Sequence, residues 1–116
     1  MSTILLIYIL LVIILVLHLI EEVKHGFHKK LPVGEIPKWL FISLNVLIYI
    51  FCAVILILLI QDNPSVKILL WIFGIGMLLN GLGHIGMMIT RRSYFPGGIT
   101  AIPLLLLTIY FLVLLG

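Results

Sequence analysis

Residues 3–22 read TILLIYILLVIILVLHLIEE, an apolar run closed in its last turn by three titratable side chains, His18, Glu21 and Glu22. A helix that crosses a bilayer needs roughly 20 mainly apolar residues at about 1.5 Å each, and this run meets that length. No basic residue precedes it and no small-x-small cleavage pattern follows it, so it reads as a retained helix rather than a signal peptide. Ionisable groups at the edge of a membrane helix cost several kcal/mol unless partnered, and they commonly mark a site.

Working outward, three further stretches are long enough to span: 39–60, 66–90 and about 98–115. The last is marginal in length, so its helix is expected to start in the Pro96-Gly97-Gly98 turn. The expected fold is therefore all-α, a single four-helix transmembrane domain over residues 1–116. Composition agrees: 64% of residues are hydrophobic and 9% charged, against about 25% charged in a soluble domain. The linkers leave no room for a soluble domain. Lys24, Lys29, Lys30 and Lys38 fall in the first loop and Arg91 and Arg92 in the third, with Lys67 alone on the other side. The positive-inside rule then places the basic loops in the cytoplasm and both termini outside a cell membrane. The net charge of +3 sits beside the membrane, where anionic lipid headgroups are its natural partners, and nucleic acid is not implied. Cys52, the lone cysteine, lies mid-span as a small packing residue.

At 100° per residue Glu21 and Glu22 lie on either side of His18. One further helical turn would bring His25 into the same arc. On the third span, Asn80 and His84 share a face at spacing four. Gly74 and Gly81 flank that stripe on one side and Gly76 and Gly83 on the other, which predicts close helix neighbours on both sides and a stripe sealed from lipid. In Tyr94-Phe95-Pro96-Gly97-Gly98-Ile99-Thr100, Pro-Gly favours a tight turn and Thr100 is the expected N-cap. Free amides there, beside Arg91 and Arg92, make Arg91, Tyr94, Gly97, Gly98 and Thr100 the candidate substrate or headgroup contacts.

His18-x-x-Glu21-Glu22, Asn80-x-x-x-His84 and Tyr94-x-Pro96-Gly97-x-x-Thr100 together resemble the HXXEE-domain family of small bacterial multi-pass membrane proteins. The resemblance spans the first, third and fourth helices and implies that these residues form one shared site, without naming a substrate.

The candidate catalytic residues are His18, Glu21, Glu22, Asn80 and His84. His18, His84 and one of Glu21 or Glu22 would make a two-histidine, one-carboxylate set suited to zinc, iron or manganese. A metal-free alternative uses a glutamate as general base, a histidine as proton relay, and Asn80 or His84 as oxyanion donor. That arrangement is similar in kind to CAAX-type intramembrane endoproteases, although here Val-Lys-His-Gly follows the glutamates without the arginine of their motif. The leading function is an enzyme acting on a membrane lipid or lipidated substrate at the cytoplasmic leaflet, by hydrolysis or transfer. The alternatives are a small proton-coupled transporter or ligand-binding protein and a non-catalytic assembly factor. Small multidrug-resistance transporters carry their helix-one glutamate within the span, whereas Glu21 and Glu22 close the helix.

Overall fold

The computed structural model describes residues 2–31 and 34–116, so Pro32 of the first loop lies outside the described residues. It contains α1 (Ser2–Lys24), a 3-10 turn (Phe27–Lys29), α2 (Lys38–Ile60), α3 (Val66–Arg91) and α4 (Gly98–Leu115). The fold is all-helical, and each of the four helices is long and apolar enough to cross a membrane. Short connections make successive helices antiparallel. The end of α1, the end of α3 and the start of α4 therefore share one end of the bundle, and the sequence motifs meet there.

Local chemistry sets the ends. Between α2 and α3, Asp62 adopts a left-handed conformation (φ 53°) and the Ser65 amide donates to Asn63 Oδ1 at 2.9 Å. This side-chain turn reverses the chain without a glycine. Gly97 (φ 90°) precedes α4 and takes a conformation that side-chain-bearing residues rarely adopt. The N-cap position is thus Gly97, not Thr100. Pro103 sits inside the helix near its start, where a missing backbone donor matters least.

Packing is uneven. α4 lies between α1 and α3 and packs closely on both, with Ala101, Leu104 and Phe111 fully buried. Gly74 and Gly81 make the α3–α4 approach possible. A Cβ on Gly81 would stand 3.0 Å from Leu105 Cβ, and one on Gly74 would meet the Leu112 side chain at 2.5 Å. The expected closure on the other side does not occur, because a Cβ on Gly76 or Gly83 would meet nothing within 4 Å. α2 packs chiefly through its second half, where Cys52, Ile55 and Leu59 are buried and Tyr8 donates its hydroxyl to the Cys52 carbonyl at 2.6 Å. Residues 42–51 of α2 contain no fully buried side chain, and a cavity separates part of this stretch from α3.

Replacing Gly81 with Leu should therefore destabilise the bundle by about 1–3 kcal/mol through overpacking, while Gly76→Leu should be nearly neutral. Thermal unfolding of both variants in detergent micelles checks this contrast, and equal effects would refute the proposed α3–α4 contact.

Candidate metal centre

The last turn of α1 presents His18, Glu21 and Glu22, all buried although they lie at a helix end. Their partners come from α3 and α4, and each glutamate turns to a different one. Glu21 faces the start of α4. Its Oε1 accepts from the Thr100 amide at 2.9 Å and the Thr100 hydroxyl at 2.6 Å, and its Oε2 accepts from the Ile99 amide at 3.1 Å and from the Tyr94 hydroxyl. A helix N-terminus offers unpaired amides and a positive dipole end, which is where a carboxylate is most favourably placed. Burial and the Glu21 hydrogen bond push the Tyr94 hydroxyl up to about 12, so it remains a neutral donor throughout the physiological range. The amides expected to receive a headgroup thus receive Glu21 instead.

The Thr100 hydroxyl gives its single proton to Glu21, so at His18 it can only accept. His18 Nδ1 lies 2.8 Å from Thr100 Oγ1 and must be the donor. That assigns the proton of a neutral His18 to Nδ1 and leaves the Nε2 lone pair free. His18 Nε2 is 3.0 Å from the Asn80 amide oxygen, 3.2 Å from His84 Nε2 and 3.5 Å from Glu22 Oε1. His84 Nε2 in turn is 3.4 Å from Glu22 Oε2. The groups around this point are electron-rich, and a cation or a shared proton is the physical means of holding them together.

His18, Glu22 and His84 each offer a ligand atom, and all these atoms lie within 4.8 Å of one another. Of the two glutamates left open by the sequence, Glu22 joins this group and Glu21 supports it from behind. His25 does not join. α1 stops at Lys24, and His25 Nδ1 bonds back to the Glu21 carbonyl at 3.0 Å while its ring packs on Tyr94. Gly97 closes the centre from the α4 side, since a Cβ there would come within 2.6 Å of His84 and 2.8 Å of His18. A Cβ on Gly98 would likewise stand 2.2 Å from Met88 Sδ. Arg91 is exposed, with its guanidinium 5.3 Å from the centre of the Phe95 ring.

Sequence reasoning missed the aromatic cover. Phe27, from the 3-10 turn, packs on His84, Phe95 and Phe41 at centroid distances of 5.2, 5.7 and 5.5 Å. Its position between His25 and His28 was the only available signal. Beside this cover a cavity of about 430 Å³ opens between α2 and α3, with Glu22, Asn80 and His84 on its polar wall. Leu11, on the apolar face of α1, is fully buried core.

Fold and site together define a four-helix membrane-type bundle with a buried histidine–glutamate centre at one end. The chain belongs to the family described as "Protein of unknown function with HXXEE motif", which it matches over residues 9–112. No curated protein and no solved structure matches it.

The Glu21–Thr100–His18 chain makes a graded prediction. Glu21→Gln and Thr100→Val should each lower stability by about 1–3 kcal/mol, because each strands buried donors or acceptors, while Thr100→Ser should stay near wild type. Denaturant unfolding in micelles tests the order, and a Thr100→Ser variant as impaired as Thr100→Val would contradict the hydroxyl's role.

Proposed function

We propose that this protein is a membrane-embedded metalloenzyme that acts on a lipid or lipidated substrate at the cytoplasmic leaflet, by hydrolysis or group transfer. The observation that carries this reading is the His18–Glu22–His84 group, in which the two Nε2 atoms stand 3.2 Å apart, Glu22 Oε1 lies 3.5 Å from His18 Nε2 and Glu22 Oε2 lies 3.4 Å from His84 Nε2. Ligands about 2.1 Å from a tetrahedral zinc stand roughly 3.4 Å from one another, so the spacing fits a small divalent cation with little rearrangement. Manganese or iron(II) would suit the same donors. Polar groups that merely glue helices have no need of a carboxylate set between two imidazoles.

A bound cation would supply Lewis acidity toward a carbonyl or phosphoryl oxygen. The chain's own residues do the rest. Glu22 and His84 line the cavity and would hold the cation at its wall, and Asn80 lines it with an amide that can hydrogen-bond a substrate oxygen. Thr100, backed by Glu21, holds His18 in the tautomer that presents Nε2 to the centre. Phe27 and Phe95 limit water on the side away from the membrane.

Purified protein should carry about one divalent metal per chain, and His18→Ala, Glu22→Gln and His84→Ala should each remove it while His25→Ala retains it. Elemental analysis of the folded variants, paired with lipid turnover in vesicles, makes the test. Wild-type protein with no metal, no lipid turnover and proton-coupled export of a ligand would move the protein to the transporter class.

Placement at the cytoplasmic leaflet rests on charge. Every lysine and arginine except Lys67 lies at the bundle end that carries the centre. Reporters fused at Lys30 and at Gly116 should label opposite sides of the membrane, the first in the cytoplasm. Labelling on one side would overturn this topology.

A further inference from the structure

The α2–α3 cavity is built around the polar wall rather than beside it. Toward the loops it continues past His84 to Phe27, Leu31 and Ile36, and toward the bilayer centre it continues to Leu44, Ile48 and Leu79. His84 lies seven residues before the end of α3, about 10 Å in from that end, and Leu79 lies about 7 Å deeper. A lipid presents its groups in this same order along the membrane normal, with a polar head, then ester carbonyls, then hydrocarbon. Among the described residues Glu22 is the only Asp, Glu, Lys or Arg on the cavity wall, and the deep end is hydrocarbon apart from Asn45, so a charged group would find no partner there. At about 430 Å³ the cavity falls within the size range of ligand pockets, roughly 300–1,000 Å³.

Its opening has a structural cause. Residues 42–51 of α2 have no fully buried side chain, and Gly83, on the cavity wall, leaves space where a side chain would otherwise stand. The gap therefore opens sideways toward the surrounding membrane, the route by which a bilayer lipid would enter without leaving its leaflet.

We propose that the α2–α3 cavity binds one acyl chain of a bilayer lipid, with its ester carbonyl at Glu22, Asn80 and His84 and its methyl end toward Ile48 and Leu79. The assignment deepens the reading of the centre as a lipid-directed enzyme and rests on it for its purpose. It names the ester bond next to that carbonyl as the bond presented to the centre.

Gly83→Leu is the direct test, because a Cβ there enters open space on the cavity wall and the larger side chain obstructs the cavity. The protein is reconstituted in phosphatidylethanolamine–phosphatidylglycerol vesicles doped with a phosphatidylethanolamine bearing a diazirine near the end of one acyl chain. After photolysis, wild-type labelling should concentrate at Ile48 and Leu79 over Leu47 and Leu106, which face lipid at comparable depth and are 62% and 65% exposed. Gly83→Leu should cut the cavity labelling by about tenfold while leaving Leu47 and Leu106 labelled as before and the metal content unchanged. Leu44→Trp, from the opposite wall, should do the same and serves where Gly83→Leu folds poorly. Even labelling across all four positions, cavity labelling that neither variant reduces, or displacement of the probe by an acylated peptide in preference to lipid would overturn the proposal. The two readings separate cleanly: cavity labelling without bound metal would keep the acyl site and remove the metal centre, and bound metal with even labelling would do the reverse.

Discussion

A carboxylate buried near the edge of a membrane is a severe constraint, and Glu21 imposes it on this bundle. Left unpaired it would cost several kcal/mol, so the chain surrounds it with donors: two backbone amides at the start of α4, the Thr100 hydroxyl and the Tyr94 hydroxyl. The consequences reach beyond charge. Pinning Glu21 to α4 fixes the axial register of α1 against α4. It also commits the Thr100 proton, which makes Thr100 an acceptor and His18 Nδ1 a donor. The free Nε2 lone pair of His18 follows from a bond that His18 does not itself make.

Glycine positions then decide which sides of α3 close. Gly74 and Gly81 admit α4 at short range, whereas Gly76 and Gly83, on the other flank, admit nothing. The molecule is accordingly a tight α1–α3–α4 core with α2 attached at two places, through Tyr8 and the buried second half of the helix, and through the Phe27–Phe41 contact at the other end. Between those attachments lies the cavity. Gly97 acts at a third level: its positive φ turns the chain into α4, and its missing side chain lets both imidazoles approach the turn. Any larger residue there would meet backbone strain and the His18 and His84 rings together.

Much of this was legible in the sequence. The helices were plain because apolar runs of spanning length are bounded by loops that contain the charges and most turn residues. His18, Asn80 and His84 were legible as a group because antiparallel helices with short connections bring the end of α1 beside the end of α3. The division of labour between Glu21 and Glu22 was not, since periodicity says that they flank His18 but not which neighbour stands on which flank. Thr100 was read as the cap of its own helix, when its hydroxyl serves Glu21 from another. The cavity between α2 and α3 left no trace, because a helix rich in leucine and isoleucine on every side has no face that announces a partner. The aromatic cover depends on Phe27, Phe41 and Phe95, which come together only through contacts between elements distant in sequence.

The spacing of the motif has a geometric explanation. On an α-helix, residue i+3 sits about 60° to one side of residue i and residue i+4 about 40° to the other. With histidine at i, a glutamate at i+3 reaches one neighbouring helix and a glutamate at i+4 reaches the next, while the histidine between them touches both. Here Glu21 engages α4, Glu22 engages α3, and His18 meets Thr100 on the first and Asn80 and His84 on the second. His-x-x-Glu-Glu is thus the pattern of a three-helix junction in which one carboxylate secures the architecture so that the other can face the cavity. Moving either glutamate by one position would turn it about 100° from its partner, so the two functions cannot be exchanged along the sequence while the helices stay in place.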